Sequence, residues 1–466
     1  MKRRIFSMVC SITLIASMLS GCGSAATTES KAESGNTKSS TESSTEASTG
    51  ASSAVSTAAS TAVSKAETST TSSGDDLKGT KITFLNTKTE IQDYLEDMAA
   101  EFEKETGITV ECYTNTEENH ISEKYASGEP YNITMMDYPD VADYQQYLYD
   151  LSNEDWVKDG GDKYGLTLDG KVMGFPFVIE AMGMIYNADA IEKITGETFN
   201  WEDYSTLKAF SGLLEKLKAG GMEAPVAVNK DDWSLASHVA GQYYCLRDDG
   251  TEKASLSFID ELKKGTADVA KDANYNALMD TIDTFLKYNI NASDPLSASY
   301  DTNDEYLADG KVAFWPNGSW ATDVSKNTDK IGIMPYPVDT EDTSLSQKLI
   351  SGATKMLTVD AAYSTEKEQQ ASLKFLNWLV YSDAGQDFMV NKCSLIVAFS
   401  NIKLEASTPL SSSVFEFIKN GQTNYWYQAL PSDYNTAMGA ILQQYIAGAT
   451  KRDQLASDIE SYWKGK

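Results

Sequence analysis

The 466-residue chain carries 68 acidic and 39 basic side chains, a formal net charge of −29. Such a charge repels phosphate backbones and anionic headgroups, so the chain is expected to bind no nucleic acid and to hold no membrane through basic patches. Aromatic residues are 10% of the sequence and fall almost wholly after residue 76, leaving apolar material for two ordinary domains.

Lys2, Arg3 and Arg4 precede an apolar run over 5–19, which closes on Leu19, Ser20, Gly21 and Cys22. Basic, apolar and small residues in that order make an export leader over 1–21, and the run is shorter than the ~20 apolar residues of a spanning helix. Leu-Ser-Gly-Cys resembles the lipobox of bacterial lipoproteins. That resemblance implies a lipid on Cys22 and a chain anchored at the outer face of the cell membrane, with a Gram-positive bacterium expected. The segment over 22–76 is dominated by Ser, Thr, Ala and Glu, with Val55 and Val63 its only large aliphatics beyond the cysteine. It lacks the apolar surface to offset its ordering entropy and reads as a flexible linker, spanning ~40 Å on average.

Past the linker, residues 81–86 alternate as a strand, with Ile82 and Phe84 toward a core. A helix is expected over 90–105, carrying Ile91, Tyr94, Leu95, Met98 and Phe102 at helical spacing and ending at Thr106 and Gly107. Strands over 108–113 and 133–136 follow. Strand, amphipathic helix and strand make a βαβ unit on a parallel sheet, whose ligand loops lie beyond the carboxyl ends of the strands. The loops after Asn86 and Met136 qualify. Further helices are expected over 201–219, 275–288, 366–380, 433–447 and 452–463, and a strand over 225–228.

Cys112, Cys245 and Cys393 are too few and too far apart for a disulfide framework or a zinc site, and are expected as buried packing residues. His120 and His238 are the only histidines, with no triad or metal spacing around them. Asp248, Asp249, Asp301 and Asp304 lack the twelve-residue calcium-loop pattern. No cofactor or metal is called for.

Four segments carry a family resemblance. They are Asp-Gly-Lys-Val-Met-Gly-Phe-Pro-Phe-Val-Ile-Glu at 169–180 with its continuation to 187, and Phe-Glu-Lys-Glu-Thr-Gly-Ile-Thr-Val at 102–110. The others are Leu-Ala-Asp-Gly-Lys-Val-Ala-Phe-Trp-Pro-Asn-Gly-Ser-Trp at 307–320 and Ala-Ser-Leu-Lys-Phe-Leu-Asn-Trp-Leu-Val-Tyr-Ser-Asp-Ala-Gly-Gln at 371–386. In this order they resemble the family 1 extracellular solute-binding proteins of carbohydrate ABC importers, the maltose-binding-protein group. The resemblance implies a two-lobed α/β fold of the periplasmic-binding-protein type II, with several strands crossing a hinge and a ligand cleft between lobes. It places lobe 1 at 77–180 and 350–400 and lobe 2 at 181–349 and 401–466. It further implies a non-enzymatic monomer that captures a sugar or oligosaccharide outside the cell and delivers it to ABC permease subunits.

A sugar needs flat aromatic surface for its C–H faces and charged or amide groups for its hydroxyls. Trp320 and Trp426 match stacking positions of the family, and Glu180 matches a sugar-contacting acid. Glu180 is also a lone carboxylate in an apolar crossing segment, where it needs a reason. Trp233 follows the strand expected at 225–228. Trp315, Tyr425, Asp137 after the third strand and Lys88 after the first complete the candidates. Trp201, Trp378 and Trp463 read as helix-packing residues, and Trp156 as a surface-loop or lobe-packing one. The same residues also suit a lipid-anchored glycan hydrolase, or a sugar sensor for a membrane histidine kinase.

Overall fold

The computed structural model describes residues 76–114, 119–406 and 408–466. The leader, Cys22, the linker through residue 75 and the His120 side chain lie outside the described residues. Strand β1 (Lys81–Asn86) leads through a helix over Leu95–Thr106 into β2 (Thr109–Thr114). The two strands pair in parallel from Lys81 beside Thr109 to Asn86 beside Thr114. Between them Gly107 closes the helix at φ +72°, where a Cβ would come within 2.9 Å of Lys78 Cγ. A residue with left-handed backbone and no room beside it has to be glycine. β3 (Ile133–Met136) joins the other side of β1 in parallel, completing the expected βαβ unit.

Two long strands organise the rest. β4 (Leu166–Leu168) pairs with β5 (Lys171–Asn187), a 17-residue strand buried along nearly its whole length. Burial on both faces explains why it reads as a continuous apolar run rather than an alternation. β6 (Phe314–Gly318) and β7 (Ile331–Met334) pair with the far end of β5. β8 (Leu349–Val359) runs antiparallel to both β5 and β3, and β9 (Thr423–Tyr425) pairs with its start. The path of the sheet is β2-β1-β3-β8-β5-β4. One hydrophobic core draws on residues between Leu77 and Val178 and between Leu357 and Ile402, another on residues between Met182 and Ile350 and between Trp426 and Trp463. β5 and β8 serve both. Among the described residues no helix is long and apolar enough to cross a membrane.

Several local expectations change. The helix expected over 90–105 begins as a 3₁₀ turn, Thr89–Tyr94, and becomes α only at Leu95. Asn86 grips the loop at both ends, donating to the Lys88 carbonyl at 2.7 Å and accepting from the Lys88 amide at 3.0 Å, which fixes where regular winding can begin. The helix expected over 201–219 divides into a 3₁₀ turn, Trp201–Tyr204, and an α-helix, Leu207–Ala219, because Thr206 caps the Ala209 amide and restarts it. The strand expected at 225–228 reduces to single bridges from Val226 to Asn289 and Phe314. Of the two readings of Trp156, packing holds and the surface loop does not: it is fully buried, edge-on to Phe175 at 5.0 Å. Cys245 and Cys393 are buried as expected, whereas Cys112 is only half-buried.

Candidate functional site

Glu180 sits in the middle of β5, opposite Gly352 of β8. The loop after β1 brings Lys88 to it, with Nζ 2.6 Å from Glu180 and 2.8 Å from Glu90. Lys88 and Glu180 are each only 5% exposed. Thr354 of β8 donates its hydroxyl to the other Glu180 oxygen. Burial alone would raise the Glu180 pKa, but the charge and hydrogen bond of Lys88, helped by Thr354 and Lys355, outweigh it and hold the carboxyl below its usual range. Burial likewise opposes the charge on Lys88, and Glu180 and Glu90 reverse that effect and hold it protonated. The two candidates are thus partners in one buried ion pair, held ionised by each other.

Trp320 follows β6 at the turn Ser319–Ala321 and shares a cavity of about 320 Å³ with Lys88 and Glu180. That volume lies at the lower end of the ~300–1,000 Å³ of small-molecule sites. Ser319 secures the turn to β5, its hydroxyl accepting from the Ala181 amide at 3.1 Å. On its other flank the Trp320 indole meets a group of rings: His238 at 4.5 Å and Trp426 at 6.2 Å. His238 in turn touches Trp233 at 5.1 Å, and Trp233 touches Tyr300 at 5.8 Å. Trp320 joins the charged cavity to this aromatic group.

The remaining candidates are placed differently. Trp426 is 5% exposed and Trp233 half-buried, and neither is a wall of the cavity. Trp315 is fully buried, its Nε1 donating to Asn229 at 2.9 Å, so in this structure it offers no face to a ligand. A position within β6 turns inward, whereas Trp320, beyond the strand end, is released from the pleat. Tyr425 in β9 is half-buried, with its hydroxyl 3.4 Å from Glu252. Asp137 is exposed and pairs with Lys355 at 2.8 Å. Lys355 was missed from the sequence, although it is the one charged residue of the mostly apolar β8 and carries the same signal that picked out Glu180. His238 carries neither triad nor metal-ligand spacing, and no sequence pattern marks its place among the indoles.

The profile of bacterial extracellular solute-binding proteins matches residues 97–409. The maltodextrin-binding protein MdxE of Bacillus subtilis is 24% identical over 251 residues, 52% of this chain and 57% of that protein, so the match spans little more than half of its length. The solved structure of RafE in complex with raffinose aligns over 82% of this chain and 98% of its own, with a TM-score of 0.65 at 20% identity. A sugar transporter from Bacillus licheniformis in complex with stachyose aligns over the same shares, with a TM-score of 0.63 at 20% identity. These structures share the two-lobed α/β fold seen here. A profile match over most of the chain, on that fold and with the segments that carried the resemblance, establishes membership: the chain belongs to the bacterial extracellular solute-binding proteins.

Proposed function

We propose that the chain captures a neutral sugar or oligosaccharide outside the cell and delivers it to an ABC permease, held at the membrane by a lipid on Cys22. One observation carries the carbohydrate reading: the half-buried Trp320 indole opens on the same cavity as the ionised Lys88–Glu180 pair. An indole offers a C–H-stacking face, and fixed charges give strong hydrogen bonds to hydroxyls. MdxE, RafE with raffinose and the Bacillus licheniformis protein with stachyose support the same class. Ligand contacting residues of both lobes shifts the population toward a closed form. The hydrolase reading fares worse, because a general acid needs a raised pKa and that of Glu180 is lowered.

Thermal-shift screening against maltotriose, raffinose, stachyose and chitotriose tests the proposal, with reducing ends assayed in parallel. A raised melting temperature with intact sugar is expected. Released reducing ends would return the hydrolase to first place. Cys22→Ser should free the protein into the medium; retention on the membrane would exclude the lipid anchor.

A further inference from the structure

His238 is used by nothing described above. It lies in a seven-residue π-helix, Ser234–Ala240, a rare wide winding that recurs at functional sites. Three indoles surround its imidazole: Trp320 at 4.5 Å, Trp233 at 5.1 Å and Trp426 at 5.7 Å. The side chain is half-buried, yet its Nδ1 is covered and has no hydrogen-bond partner among the described residues. Among the other covered groups without a partner, two lie close by: Nε1 of Trp320, whose ring adjoins the imidazole, and Nε2 of Gln242, four residues further along the same helical run. A histidine kept only for packing would settle such a nitrogen on a carbonyl, since a buried polar atom left unpaired is costly.

We propose that His238 is a ligand-contacting residue that sets which sugar the site accepts, its imidazole hydrogen-bonding one hydroxyl while the three indoles pack around it at tilted and edge-on angles. This rests on the carbohydrate reading above. The charged groups facing the imidazole come from the crossing strands, Glu180 of β5 and Lys355 of β8. Burial pushes its pKa down to about 4 against the pull of Glu180, so the ring is neutral at pH 7. A neutral imidazole donates from one nitrogen and accepts on the other, and can therefore meet a hydroxyl in either sense. A site built to hydrogen-bond one hydroxyl rejects a sugar that presents it otherwise far better than an apolar wall does.

The chain has 2 histidines, so His120→Gln leaves His238 as the one source of imidazole signal in ¹⁵N-histidine NMR. Maltotriose and raffinose, which differ between gluco and galacto configuration at the non-reducing end, serve as probes on the full chain. The His238 ring-nitrogen resonances should move when the tighter sugar is added. His238→Phe should weaken that sugar by at least about tenfold and narrow the preference between the two. Unmoved resonances, or equal weakening of both sugars as expected from a packing role, would overturn the assignment and leave the carbohydrate reading standing. No melting shift with any sugar of the panel would overturn both.

Discussion

Replacing Lys88 by Met asks how firmly the loop after β1 is locked to β5. At 2.6 Å and an effective dielectric of ~20, the attraction between Lys88 and Glu180 is about 6 kcal/mol. Stripping water from each ion costs several kcal/mol, so the intact pair contributes little net stability. Removing one partner is another matter. Met fills the space of the lysine stem but strands a 5%-exposed carboxylate with Thr354 as its remaining side-chain donor. The expected loss is about 3–5 kcal/mol at pH 7, measured by urea unfolding with fluorescence and circular dichroism. Adding Glu180→Gln removes the stranded charge and should recover most of that loss. The pH dependence has a defined sign. Glu180's depressed pKa in the native protein contributes stability above the ordinary carboxylate range, and that contribution is lost as pH falls through its folded value. In Lys88→Met burial is opposed only by Thr354 and Lys355, so the carboxyl protonates at higher pH, and the deficit should shrink between pH 7 and pH 5. A deficit under about 1 kcal/mol, with no pH dependence, would refute a closed, water-poor pair.

Other outcomes are equally definite. Trp320→Ala should weaken sugar binding by about 1–3 kcal/mol in calorimetry, the scale of one ring's buried contact, and unchanged affinity would remove Trp320 from the site. Burial, followed by Asp323, pushes the Asp304 carboxyl up to about 6, so its contribution to stability is present in acid and lost as pH rises through that value. Asp304→Asn should therefore stabilise by about 1 kcal/mol at pH 8, with the linkage value trimmed for solvent screening, and have no such effect at pH 4; destabilisation at pH 8 would contradict this. Burial raises the thiols of Cys112, Cys245 and Cys393 to about 12, so peptide mass mapping should find them alkylated at pH 8 only after unfolding. Fast labelling of Cys245 or Cys393 in the native protein would show that its cover opens.

Local patterns carried much of the fold. β1, β3 and the final helix Arg452–Trp463 match the residues expected from the sequence, the first and last through an apolar periodicity and β3 as a short apolar run buried on both faces. Glu180 stood out as a charge in an apolar run, and Trp320 through the family resemblance of its Gly-Ser-Trp segment. What stayed hidden depends on contacts distant in sequence. Lys88 and Glu180 are 92 positions apart, and no spacing rule links them. Trp315 and Trp320 read alike in the chain, yet one faces inward within β6 and the other has left the pleat. Trp156 could be read as a surface-loop or a packing residue because its own segment is polar, while the rings that cover it, Phe175 and Phe399, come from elsewhere.

In the sugar site proposed above, the ion pair would also constrain how a ligand is held. Parting Lys88 from Glu180 would cost more than one charge-assisted hydrogen bond returns, about 1.5–3 kcal/mol, so a ligand gains by accepting the pair as it stands. Two of the three protons on Lys88 Nζ go to Glu180 and Glu90, and the third has no partner among the described residues. Glu180 takes Lys88 on one oxygen and Thr354 on the other, and each oxygen keeps a second lone pair. The pair can thus give one hydrogen bond and accept others without rearranging, which suits the paired donor and acceptor character of a hydroxyl. In this arrangement Lys88→Met and Glu180→Gln should each lower sugar affinity even where stability is restored. A double variant that recovers stability while binding sugar as tightly as the unaltered protein would show the pair to be a structural lock beside the ligand.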